Sequence, residues 1–109
     1  MRVLLCGDPF WSNARSVKER LARLPTGTTI VCGTTRGADR LARKSAAALG
    51  LVIEAFPPSA PGPARNRQML DTLPTLVLAF HANIDRARST RDCVEEARRR
   101  GIEVDVIER

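Results

Sequence analysis

The segment best suited to chemistry is Gly33-Thr34-Thr35-Arg36-Gly37-Ala38-Asp39. Two glycines bracket a short turn. Gly33 is expected to permit an unusual φ, and Gly37 to let backbone approach a ligand closely. A helix that starts at such a turn presents unpaired N–H groups, which favour an anion. Thr34, Thr35 and Arg36 add side-chain donors. No Gly-Lys-Ser/Thr follows and no G-x-G-x-x-G is present, so this is neither a Walker loop nor a dinucleotide fingerprint. An ordinary βα turn with a threonine cap is the alternative that spacing leaves open.

Other candidates stand at comparable places. Arg65-Asn66 is expected to open a helix: Arg65 offers a bidentate fork for phosphate, and Asn66 a cap or a reader of base or ribose. Asp39 falls in a first helical turn, where a carboxylate suits the dipole; it can also meet ribose hydroxyls or orient the Gly33 turn. Asp8, beside Gly7, can take a hydroxyl or act as a base. Trp11 and Phe10 can stack on a base, cover the sheet edge or enter an interface. His81, the single histidine, reads as structural. Asp92, Asp39 and Asp8 are the carboxylates available for catalysis. No His/Cys/Asp grouping has metal-ligand spacing, so neither metal nor cofactor is expected. Cys6 and Cys32 read as small core residues in adjacent strands, without the positive surroundings of a nucleophile.

These residues need a scaffold. Five apolar runs of β type are evident: Arg2–Cys6, Thr28–Cys32, Leu51–Phe56, Thr75–Phe80 and Ile102–Ile107. Continuous apolar runs predict strands buried on both faces of a parallel sheet. Between them run stripes of helical spacing: Val17, Leu21, Leu24; Ala38, Leu41, Ala42, Ser45, Ala46, Leu49; Met69, Leu70, Leu73; and Thr90, Cys93, Val94, Ala97. Pro25, Gly50, Pro74 and Gly101 stop them. The order β-α-β-α-β-α-β-α-β predicts a three-layer, doubly wound, Rossmann-like α/β domain, one unit over 1–109. Ligands in such sheets lie beyond the carboxyl ends of the strands, where the candidates fall. The Pro57–Pro63 stretch reads as a loop at that edge.

Composition bounds the rest. The chain has 109 residues, 18 Lys+Arg against 12 Asp+Glu, and 43% hydrophobic residues. It has enough aliphatic content to fold and no apolar run near the ~20 residues of a membrane span. The N-terminal residues do not read as a signal peptide. Three cysteines without C-x-x-C predict a reduced, cytoplasmic protein. All the cations but Lys18 and Lys44 are arginine, much of it expected on solvated helix faces. Arg86, Arg88 and Arg91 precede the last helix. Arg98-Arg99-Arg100 lies at its far end, where it complements the helix dipole. The charge is thus split, and only four aromatics are present, which argues against a nucleic-acid partner.

Three segments carry a resemblance. Gly33-Thr-Thr-Arg-Gly-Ala-Asp39 with Leu41-Ala42 resembles the G-x-x-x-G-A-D-x-x-A signature of the YspA-type (YAcAr-like) branch of the SLOG superfamily. Gly62-Pro63-Ala64-Arg65-Asn66-Arg67-Gln68-Met69 resembles that branch's G-x-x-R-N-x-x-M motif. Arg88-Ser89-Thr90-Arg91-Asp92, with Ala97 and Gly101-Ile102, resembles its R-G-T-x-x-x…A-x-x-x-G-I-P-V segment. The opening strand Val3–Gly7 with Trp11 is similar too.

The resemblance implies a Rossmann-like fold that binds or senses a nucleotide or nucleotide-derived, ADP-ribose-like ligand. It implies binding residues at Gly7, Asp8, Trp11, Gly33, Thr34, Thr35, Arg36, Gly37, Asp39, Arg65, Asn66, Ser89 and Thr90. It also implies self-association into a homodimer or larger oligomer, with Ser89–Ala97 and the Trp11 region as contact surfaces. The superfamily includes Lonely-guy phosphoribohydrolases and DprA/Smf-type proteins that bind single-stranded DNA. They supply two alternatives: nucleoside-monophosphate N-glycosidase and, further off, nucleic-acid binding. Ser89 stands where the branch has glycine. Asp92 and Cys93 stand where the hydrolases carry glutamate.

Overall fold

The computed structural model describes residues 1–58 and 62–109. Its strands are β1 (Arg2–Gly7), β2 (Thr29–Gly33), β3 (Val52–Phe56), β4 (Leu76–Phe80) and β5 (Glu103–Ile107). Its helices are α1 (Ala14–Leu21), α2 (Ala38–Ala46), α3 (Gly62–Leu70) and α4 (Arg88–Arg99). Short 3-10 turns cover Ala47–Leu49 and Ile84–Arg86. The strands form one parallel sheet in the order β3-β2-β1-β4-β5. This is the doubly wound arrangement that the alternating pattern predicts. The chain leaves β1 in one direction for β2 and β3, then crosses to the other side for β4 and β5. The switch point therefore lies between β1 and β4.

The helices form two layers, α1 against α2 and α3 against α4. Strand alternation sends side chains to each layer in turn. Val3, Leu5, Ile30, Leu78 and Phe80 pack with Val17, Leu21, Ala42 and Ala46. Leu4, Val31, Val77 and Ala79 pack with Met69, Leu70, Cys93, Val94 and Ala97. Each fully buried leucine, valine or phenylalanine here is worth about 1.5–3 kcal/mol. Cys6 and Cys32 do sit in neighbouring strands but face opposite layers.

Two local expectations need correction. Leu73 does not continue the third stripe: α3 ends at Leu70, and Leu73 has φ 65° and is 79% exposed. Pro74 follows it and disfavours the helical region. Also, Arg65 and Asn66 do not open α3, which begins at Gly62. Pro63 lies in the first turn, where its missing N–H breaks no helical bond. Within the Pro57–Pro63 loop, residues 59–61 lie outside the described residues. Among the described residues, no helix is long and apolar enough to cross a membrane.

Candidate functional site

A small cleft of about 30 Å³ opens at the carboxyl edge of β1 and β2, on the α3–α4 side. That is room for about one water-sized group, far below the ~300 Å³ at which ordinary small-molecule pockets begin. Leu5, Cys6 and Gly7 come from β1 and Gly33 from β2. Thr35 and Asp39 come from the turn and first residues of α2. Arg65, Asn66 and Met69 come from α3, and Ser89 and Thr90 from the start of α4.

Asp39 organises the turn. The residue is 6% exposed, and its carboxylate accepts a 2.6 Å hydrogen bond from the Thr35 hydroxyl. Arg43, one turn further along α2, donates to the carbonyls of Gly33 (3.0 Å) and Thr35 (3.3 Å). The turn is thereby held from two positions on one helix face. Burial pushes the Asp39 carboxyl up. Hydrogen bonds from Thr35, then the charges of Arg65 and Arg43, pull it part of the way back.

Gly33 has a role different from the expected one. Its φ is not in the left-handed region. What matters is the absent side chain: a Cβ there would stand 2.7 Å from Asp39 Oδ2 and 3.4 Å from Arg65 Nη1. The glycine lets a carboxylate and a guanidinium both lie against β2. Arg65 Nε is buried and has no hydrogen-bond partner among the described residues. A buried, unpaired guanidinium N–H is costly unless something accepts from it, and it sits in the wall of the cleft.

Asn66 does not cap a helix. It is 2% exposed, and its amide donates to the Ser89 carbonyl and to Asp92 Oδ2, both at 3.0 Å. Both N–H groups are spent joining α3 to the first turn of α4. Thr90 is buried beside it, while Ser89 is exposed at the rim. Asp92 lies behind Asn66 and lines a separate groove with Asp85, Arg86, Arg88, Arg91 and Glu95. Arg91 is engaged there by Glu95 at 2.8 Å.

Of the residues expected at the site, the cleft gathers Gly7, Gly33, Thr35, Asp39, Arg65, Asn66, Ser89 and Thr90. Asp8, Trp11, Thr34, Arg36 and Gly37 do not line it. Gly37 has φ 75°, and a Cβ on it would meet Asp8 O at 2.3 Å. The backbone that approaches it is the chain's own β1–α1 loop, not a ligand's. Trp11 is buried edge-on against Phe80, with ring centroids 5.7 Å apart. Its indole N–H points to Asn13 O and Ser16 Oγ, each at 3.2 Å. Arg36 turns outward, its guanidinium 4.6 Å from the centroid of the Phe10 ring. Asp8 accepts from the Phe10 N–H at 2.8 Å and stands 3.9 Å from His81 Nε2. His81 in turn accepts from the Asn83 N–H.

The sequence reading missed Arg43 and the cleft-lining role of Cys6. Arg43 was findable, since it follows Asp39 by four residues and must share its helix face. The thiols are shielded. Cys93 and burial push the Cys6 thiol well up, and burial, then Asp39, pushes Cys32 up to about 12. Among the described residues no group of three or more His, Cys, Asp or Glu is placed to hold a metal ion.

Compared with known proteins, the chain matches no family model, no curated protein and no solved structure.

Proposed function

We propose that the cleft binds a small phosphorylated ligand of the nucleotide or ADP-ribose class, as the SLOG resemblance implies. The observation that carries this reading is Arg65, a half-buried cation in the cleft wall whose buried Nε has no partner among the described residues. An oxyanion would supply the missing acceptor in a charge-assisted bond. The first turn of α4 reaches the same space through Ser89 and Thr90, and its free N–H groups favour negative charge. Asp39, close by, is an acceptor for sugar hydroxyls. The cleft takes little more than one oxyanion, so sugar and base would lie at the rim and beyond it.

The reading carries with it a cytoplasmic protein that self-associates. Since Trp11 is buried, α4 from Ser89 to Ala97 is the better contact surface. Native mass spectrometry of protein purified without added ligand would report subunit count and co-purified nucleotide together.

Isothermal titration with AMP and ADP-ribose tests the function. Arg65→Gln should weaken binding about 10- to 100-fold, the range of a charge-assisted bond. Unchanged binding by Arg65→Gln would refute the role of this side chain. Free base released during the titration would convert the reading to an N-glycosidase.

A further inference from the structure

A site for an oxyanion is an unexpected place for a buried carboxylate. Asp39 is the only acid among the described residues that line the cleft. It takes part in no ion pair among the described residues. Its hydroxyl partner is Thr35, and Arg43 is turned to the carbonyls of Gly33 and Thr35. The position a Cβ would take on Gly33 lies 2.7 Å from Asp39 Oδ2 and 3.4 Å from Arg65 Nη1. Carboxylate and guanidinium therefore border one space, and that space is only about 30 Å³. An oxyanion drawn to Arg65 cannot stand clear of Asp39, and it meets the carboxylate before any sugar at the rim does.

An ionised carboxylate only accepts hydrogen bonds. A fully ionised oxyanion also only accepts. Placed together out of water, the two repel and leave each other unmatched. One proton between them removes both penalties and makes a short, charge-assisted O–H···O bond. A phosphomonoester can bring that proton, because its second ionisation lies near pH ~6. A sulfate ester and the linking phosphates of ADP-ribose are fully ionised at neutral pH and bring none.

We propose that Asp39 makes the cleft select an oxyanion that carries a proton, the terminal group of a phosphomonoester, over a sulfate ester or a linking phosphate; this rests on the reading of the cleft as a phosphate site. Arg65 attracts any anion, and Asp39 sorts among them. The other groups near Asp39 leave it that task. Arg65 approaches from α3 and Arg43 from its own helix. Cys6 from β1 and Cys32 from β2 stay neutral, their thiols pushed up. From α4 the cleft receives only Ser89 and Thr90.

Isothermal titration of AMP against adenosine 5′-sulfate tests this on the full chain. The two share a nucleoside and a tetrahedral head, but the sulfate has no proton to give. Near pH ~6 the parent should bind AMP roughly 10- to 100-fold more tightly, the effect of a buried charged group left unmatched. ADP-ribose should follow the sulfate ester. Above the second ionisation of AMP and that of Asp39, the complex keeps a proton that both free partners have lost. AMP affinity should there fall about tenfold per pH unit. Asp39→Asn should bring the two esters within a few-fold of each other and abolish that fall. Equal or tighter binding of the sulfate ester by the parent, an AMP affinity that is flat or rises with pH, or a fall that survives in Asp39→Asn would overturn the proposal and leave the phosphate site standing. Binding of neither ester would overturn the site and the proposal together. The comparison of esters and the pH profile need only the parent, so they decide the matter even where Asp39→Asn does not fold.

Discussion

Gly37 and Gly101 have the same φ, 75°, in different surroundings. A Cβ on Gly101 meets nothing within 4 Å, whereas one on Gly37 would stand 2.3 Å from Asp8 O and 2.5 Å from Pro9 O. Both neighbours of Gly37 are backbone atoms, and Asp8 O is already tied by the N–H groups of Trp11 (3.0 Å) and Ala38 (3.2 Å). Gly101→Ala therefore bears only the left-handed strain, about 1–2 kcal/mol. Gly37 has ψ −129°, outside the αL basin, so Gly37→Ala bears strain of about 1–3 kcal/mol plus overpacking of about 1–3 kcal/mol, for a total of about 2–6. At about 4 °C per kcal/mol for a domain near this size, the expected losses in Tm are roughly 4–8 °C for Gly101→Ala and 8–24 °C for Gly37→Ala. Thermal melts and urea titrations followed by circular dichroism measure both. Equal losses in the two variants would refute the claim that the Gly37 turn is seated against the β1–α1 loop.

The same apparatus serves other expectations. Asn66→Ala removes the two hydrogen bonds that join α3 to α4 and should cost about 1–3 kcal/mol in urea, with faster amide exchange at the start of α4. For Asp39 the sign is set by burial, which holds its folded pKa above the ordinary value of 3.8. Its contribution to stability is present below 3.8 and lost as pH rises through the folded value. The stability of Asp39→Asn relative to the parent should therefore increase with pH across that window, and a flat or falling difference would contradict the placement. A thiol of pKa about 12 in place of 9.0 has about a thousandfold less thiolate at neutral pH. Cys32 should therefore resist a thiol reagent in the native protein and react once urea is added, as mass spectrometry of the modified peptide would show.

The scaffold was largely legible because its signals are local. Each strand is an apolar run closed by glycine, proline or a polar residue, and the five runs match the observed strands to within a residue at each end. The α4 stripe of Thr90, Cys93, Val94 and Ala97 is the buried face of that helix. The failures come from backbone geometry that side-chain pattern does not encode. Leu73 has the spacing of a core residue but precedes a proline, and the chain turns it outward. Asn66 looks like a cap because a loop precedes it, yet the helix starts earlier and carries it inside.

Within the site, position along the chain was readable and direction was not. Thr35 and Arg36 are neighbours in one turn, but one faces Asp39 and the other Phe10. Consecutive residues of a turn point apart according to φ and ψ, which the tight seat of Gly37 decides. Trp11 illustrates the same limit, because an aromatic after a strand end can cover the core or a ligand. Here the edge of Phe80 claims it.

The strand order also governs when the cleft can exist. β1 is the middle strand, and it pairs with β4 through contacts such as Val3 beside Leu76. The first half of the chain can assemble β1, β2 and β3 with α1 and α2 by contacts between near neighbours in sequence. The cleft needs Ser89 and Thr90 as well, and so waits for the slow closure of distant segments that parallel sheets require. The cleft is thus a late product of folding, present only once both halves of the chain have met.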